Sequence, residues 1–293
     1  MSDTVYLGYD QEQLDAQLNL RARWPEHAEY FDRWATESAA FRAATPGRLD
    51  LPYGPTPGQT LDLFPVAEAP YPLVAFVHGG YWQSLDKSDF SYLAPRFLER
   101  GIGYASLNYD LAPGARIGEM VDQVRRALVW LQAEAEGLGI DPGRIVAAGH
   151  SAGGHLVTMA VATDWAADFG LAAAPVSAVC SISGVYDLEP LSLCYQQPVL
   201  QIDAVTLEAM SPLRQAPLAP VPLVCAVGAE ETEEFLRQQA ALAESWRSQG
   251  AAVEELVIAA ENHFSILDLL LDAEDPLTAR VLTLAGATGG SAP

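Results

Sequence analysis

The stretch IVAAGHSAGGHLV, Ile145 to Val157, places Ser151 at the centre of a G-x-S-x-G pattern between two short apolar runs. A serine held between glycines where a buried strand turns into a helix is placed to act as a nucleophile. Gly149 and Gly153 keep side chains away from such a strained turn. Acyl transfer also needs a base to take the hydroxyl proton, a carboxylate to orient that base, and N–H donors for the oxyanion. The base must come from five histidines: His27, His78, His150, His155 and His263. His27 lies far upstream, and His150 and His155 sit on the turn itself, where they cannot readily swing back onto the hydroxyl. His263, in AAENHFSILDLL, follows the last expected strand, which suits the chain order serine, acid, histidine.

The acid has three candidates at strand ends. Glu231 is preferred, and its rivals are Glu230 in the same AVGAEETEEF segment and Asp187 in SGVYDL. Acidic residues before a helix also serve the helix dipole, so position alone does not separate them. For the oxyanion, the amide of Ala152 opens the helix after the serine. The second source is VHGGYWQ, where His78-Gly79-Gly80 follows a buried strand and is similar to the oxyanion loop of esterases and lipases. Gly80 and Tyr81 are the expected donors, with Gly79 as a further one, and His78 is expected to hold the loop. Tyr81, Trp82 and His150 are expected to wall the substrate pocket, Trp82 equally suiting a packing role.

These residues need a frame. QTLDLF, YPLVAFVHGG, GIGYASLNYDL, RIVAAGH, VSAVCSISGVYDL, VPLVCAVGAEE and AVEELVIAAENHF read as strands, several of them apolar throughout. Helical patterns alternate with them: residues 117–139, the segment after Ser151, and residues 232–250 ending at Gly250. Buried strands alternating with helices predict an α/β fold: a mostly parallel central sheet with helices on both faces, and sites at the carboxyl ends of the strands. Residues 1–45 predict an N-terminal helical arm or lid, broken at Pro25. Residues 46–284 predict one body, with 188–216 as a partial cap, and 285–293 a disordered tail.

The chain has 293 residues, half of them hydrophobic, and 16 lysines and arginines against 38 aspartates and glutamates, a formal charge of −22. That charge disfavours nucleic acid and anionic membrane surfaces as partners. Three widely spaced cysteines, Cys180, Cys194 and Cys225, argue against a disulfide framework or a zinc knuckle. No H-E-x-x-H, phosphate loop or Cys/His cluster is present, so neither metal nor cofactor is expected. With no basic-then-apolar start and no long apolar run, a cytoplasmic location is expected.

Taken in order, HGGYWQ, GHSAGGHL, SISGVYDLEPL, MSPL, EEFLRQQ and NHFSIL resemble α/β-hydrolases of the kynurenine formamidase (arylformamidase) and esterase type. The resemblance implies an α/β-hydrolase fold with Ser151 as nucleophile, His263 as base and Glu231 where the family usually has aspartate. It implies hydrolysis of small carboxylic esters or aryl formamides through an acyl-enzyme. The expected partner is thus a small ester or formamide, with at most a second copy of the chain as a homodimer. The competing reading is a catalytically silent ligand-binding protein on a hydrolase scaffold.

Overall fold

A computed structural model describes residues 4–272 and 274–286. Most of the expected tail, from residue 287 onward, lies outside the described residues. Eight strands form one sheet in the order β1-β2-β4-β3-β5-β6-β7-β8. They are β1 (Arg48–Pro52), β2 (Thr60–Phe64), β3 (Tyr71–Val77), β4 (Gly103–Leu107), β5 (Ile140–His150), β6 (Ala178–Ile182), β7 (Leu223–Gly228) and β8 (Val253–Ile258). The β1–β2 and β2–β4 pairs are antiparallel and all others are parallel. Every residue of β3, β4, β6 and β7 is buried, which is why these strands read as continuous apolar runs. β1, largely exposed at the sheet edge, has no such run and is missed by the sequence reading.

Helices cover both faces. The N-terminal arm forms α1 (Gln11–Leu18), α2 (Leu20–Arg23) and α3 (His27–Ala44). The body adds α4 (Ala94–Leu98), α5 (Ile117–Ala133), α6 (Ala135–Leu138), α7 (Ala152–Val161) and α8 (Trp165–Phe169). α9 (Glu189–Leu193), α10 (Gln197–Leu200) and α11 (Ala204–Met210) fill the segment between β6 and β7, and α12 (Glu233–Ser248) and α13 (Pro276–Leu284) complete the chain. The helix expected over 117–139 is two helices, α5 and α6, with Gly139 at φ +79° closing the second. α5 buries Ile117, Met120, Val121, Val124, Ala127, Leu128 and Leu131, one stripe at three- and four-residue spacing. α7 buries all ten residues, as befits a helix enclosed in the core.

The arm is bound to the body chiefly through α3. Trp34, 1% exposed, stacks on Tyr92 with centroids 6.1 Å apart and packs on Phe90 at 5.6 Å. Beside it Ser38 Oγ accepts the Tyr92 amide at 3.0 Å. A buried tryptophan of this kind is worth about 3–5 kcal/mol against alanine. α1 is tied to the α9–α10 segment, where Tyr195 N donates to Asp15 Oδ1 at 2.9 Å and Gln11 Nε2 to the Leu193 carbonyl at 3.0 Å. No helix among the described residues is long and apolar enough to cross a membrane.

Candidate active site

Ser151 sits between the last residue of β5 and the first of α7, with φ 56° and ψ −118°. Such a backbone costs on the order of 1–3 kcal/mol and persists only where its surroundings enforce it. Here they do. The Ser151 amide donates to the Ile182 carbonyl at 2.9 Å, and the Ser151 carbonyl accepts from His155 at 3.0 Å. A Cβ on Gly149 would lie 2.4 Å from the Gly153 carbonyl oxygen, and one on Gly153 only 2.0 Å from that of Val77. The two glycines of the motif are therefore steric requirements of the turn.

The His78–Trp82 loop packs against this elbow. A Cβ on Gly79 would meet Ser151 Cβ at 3.0 Å. Gly80, Tyr81 and Trp82 carry φ of 102°, 53° and 56°, three successive left-handed residues closed by the Gln83 and Ser84 amides on the Gly80 carbonyl. Two non-glycine residues held this way cost roughly 1–2 kcal/mol each. Offsetting contacts are visible: Trp82 is fully buried, edge-on to His155 at 5.1 Å, and Tyr81 Oη donates to the Leu18 carbonyl at 2.6 Å. His78 stacks on Tyr109 at 4.5 Å and contacts the Gly79 carbonyl and Asn108, the loop-holding position expected of it. Among the described residues the amides of Gly80, Tyr81 and Ala152 have no acceptor.

His263 Nδ1 donates to Glu231 Oε2 at 2.7 Å, both side chains being nearly fully buried. The other carboxylate oxygen, Oε1, accepts from Ser183 Oγ at 2.5 Å and from the Gly228 amide at 3.1 Å. Three donors thus satisfy a carboxylate withdrawn from water. The two turns meet because Gly228 lacks a side chain: a Cβ there would lie 2.1 Å from the Glu261 carbonyl oxygen. The rival acids are elsewhere. Glu230 is exposed, and Asp187 accepts from Tyr6 Oη at 3.0 Å and Arg237 at 3.4 Å.

His150 Nε2 donates to the His263 carbonyl at 2.8 Å, and the two rings lie 4.7 Å apart. Burial, then the neighbouring His263, holds His150 well below the usual imidazole range, so it stays neutral. Ser151, His263 and His150 line one narrow pocket with Leu20, Arg21, Phe31, Trp34, Gly80, Tyr81, Leu85 and Phe264. Trp82 does not line it; its ring is turned into the core, correcting the expectation that it walls the pocket. Ser151 Oγ and His263 Nε2 make no hydrogen bond among the described residues; such contacts often tighten only around substrate.

The sequence reading missed Ser183, which braces Glu231, and Leu20, Arg21 and Phe264 on the pocket wall. The sequence signal for Ser183 was its place beside Gly184 directly after the apolar run of β6, and the structure shows the turn there with Ser183 at φ 49°. Fold and site together define an α/β-hydrolase. The BD-FAE family matches residues 61–213, just over half of the chain, and the chain belongs to it, within the kynurenine formamidase-like and esterase group. It is 31% identical over 253 residues to the kynurenine formamidase of Danio rerio, covering 84% of each chain. Esterase LipQ of Mycobacterium tuberculosis is 34% identical over 151 residues, 47% of this chain and 35% of that one. Among solved structures, a candidate thioesterase of Silicibacter sp. TM1040 superposes with a TM-score of 0.82 at 33% identity, over 92% of this chain and 98% of its own. The protein is a hydrolase of ester or formamide type.

Proposed function

We propose that the protein is a serine hydrolase that cleaves aryl formamides or small carboxylic esters through an acyl-enzyme at Ser151. The observation carrying this reading is the buried His263–Glu231 pair opening onto the same pocket as Ser151. With Nδ1–H held by Glu231, a neutral His263 keeps its lone pair on Nε2 and can act as base. The Ser151 Oγ proton passes to Nε2 as Oγ bonds to the substrate carbonyl carbon. The oxyanion accepts hydrogen bonds from the Gly80, Tyr81 and Ala152 amides, with the α7 N-terminus adding its dipole. Collapse breaks the carbon–nitrogen or carbon–oxygen bond, and the Nε2 proton goes to the leaving aniline or alcohol. Water then gives a proton to Nε2, attacks the acyl carbon, and the proton returns to Oγ as the acid departs.

Aromatic side chains on the wall, Phe31, Trp34 and Phe264, favour an aryl leaving group. The similarity to a kynurenine formamidase over most of the chain favours a formyl acyl group among the possibilities. The test is labelling with phenylmethylsulfonyl fluoride followed by peptide mass mapping, alongside Ser151→Ala and rates on N-formylkynurenine and p-nitrophenyl acetate. Label confined to Ser151, and a loss of roughly 10⁵-fold in the variant, are expected. A folded protein that takes no label and turns over neither substrate would be a binding protein instead. A trace rate on the formamide beside a robust ester rate would remove the formamidase half of the reading.

A further inference from the structure

The pocket runs from deeply buried residues to an exposed rim. Ser151, His263 and His150 are 2–4% exposed, Leu20 and Trp34 are 1% exposed, and Arg21 alone of the charged types lines the exposed rim. Arg21 projects from α2, the short helix capped by Asn19 that lays the arm over the site. Its Nη2 donates to Ser84 Oγ at 2.7 Å, and its guanidinium sits 5.3 Å from the Phe31 ring centroid. These contacts fix the planar group while leaving most of its five N–H donors unused. Among the described residues no carboxylate lies within ion-pair distance of Arg21. Among the described residues eight of the fifteen arginines pair with an acid, Arg33, Arg96, Arg100, Arg126, Arg144, Arg214, Arg237 and Arg280, and of the other seven Arg21 is the one that lines the pocket. The pocket itself carries no Asp or Glu.

We propose that Arg21 is a specificity-determining residue that binds a carboxylate on the leaving-group half of the substrate, and this deepens the serine-hydrolase reading on which it rests. A substrate acylating Ser151 at the buried floor must run its leaving group along Phe31 and Trp34 toward the rim. An anionic group at the far end of an aryl leaving group then meets the Arg21 fork, which matches a carboxylate with two parallel N–H donors. The rest of the acidic surface repels such a substrate, so the local cation supplies what the global field withholds. The preferred substrates are therefore aryl esters or formamides bearing a carboxylate, and their neutral analogues are poorer.

The experiment compares the acetate esters of 3-hydroxybenzoate and 3-hydroxybenzamide, which share the scissile bond and shape and differ in charge. Wild type, Arg21→Gln, Arg21→Lys and Ser151→Ala are assayed at two ionic strengths. The expected result is a wild-type preference for the carboxylate in kcat/KM that falls about tenfold in Arg21→Gln, mostly through KM. Arg21→Lys keeps part of the preference, and added salt erodes it in wild type. Hydrolysis of both esters with equal losses in Arg21→Gln, or no loss in either, overturns the role of Arg21 and leaves the hydrolase reading intact. Failure of wild type to hydrolyse either ester, or full activity in Ser151→Ala, overturns both.

Discussion

Ser183 Oγ donates to Glu231 Oε1 at 2.5 Å while Glu231 Oε2 accepts from His263 Nδ1 at 2.7 Å, so one serine braces the carboxylate that orients the imidazole. Ser183 stands directly after β6, Glu231 after β7 and His263 after β8, neighbouring strands of one sheet. The glutamate side chain is folded back by Ser183 and the Gly228 amide on Oε1, which presents Oε2 to the ring. Glu231→Gln should lower kcat by roughly 10³–10⁴-fold, because an amide no longer stabilises the imidazolium or fixes its tautomer. Ser183→Ala should cost roughly 10–100-fold in kcat with KM little changed. Steady-state kinetics on one ester checks both, and a larger loss in Asp187→Asn than in Glu231→Gln would mean the wrong acid has been chosen.

Gly153→Ala should be severe. The new methyl would press 2.0 Å from the Val77 carbonyl oxygen and 2.5 Å from that of His78, and backbone cannot step aside as a side chain can. A loss of about 3 kcal/mol or more is expected, at the upper end for overpacking. Gly137→Ala, where an added Cβ meets nothing within 4 Å, should instead stabilise by about 0.5–1 kcal/mol through helix propensity. Urea unfolding of the pair provides the comparison, and similar midpoints would refute the steric account.

His155 sets a pH dependence of stability. Burial pushes its imidazole down to about 4, while its Nε2 donates to the Met210 carbonyl at 2.7 Å. Below about pH 6.5 the unfolded chain binds a proton that the folded ring refuses, so stability falls as pH drops toward 4 and levels off beneath it. The full effect is on the order of 3 kcal/mol. His155→Gln can keep a donor for Met210 and cannot titrate. Its unfolding free energy should therefore gain on that of wild type by that amount between pH 7 and pH 4. Parallel curves for the two proteins would contradict this.

Phe31→Ala tests the arm as a wall of the pocket. Phe31 is half-buried, packed on Trp34 at 5.4 Å and Phe264 at 5.7 Å, and it lines the site. Removing the ring should cost about 1–2 kcal/mol of stability, less than a fully buried phenylalanine. The rate on 1-naphthyl acetate should rise several-fold relative to phenyl acetate. An unchanged ratio would place the leaving group away from the arm.

Much of this protein was legible without coordinates because its central strands are buried on both faces and amphipathic helices such as α5 on one. Apolar runs such as YPLVAFV and the α5 stripe report that burial directly. The turn carrying Ser151 was legible for a related reason: the clash that forbids a Cβ at Gly149 and Gly153 leaves glycines at fixed offsets from Ser151. β1 was not legible, since an exposed edge strand needs no apolar pattern. Nor was the fate of Trp82, because a left-handed loop aims side chains in directions that sequence spacing does not encode.

What the sequence by itself determined was therefore the order of the buried strands and the main helices between them, the turn carrying Ser151, and a short set of candidate bases and acids. Only the tertiary structure put Glu231, and not Glu230 or Asp187, in hydrogen-bond contact with His263, set Ser183 behind that carboxylate, and placed Arg21 at the rim of the pocket. The physical reason is range. Burial and steric exclusion leave their mark within a few residues, whereas a hydrogen bond between positions 183 and 231 depends on how the whole sheet brings its strand ends together.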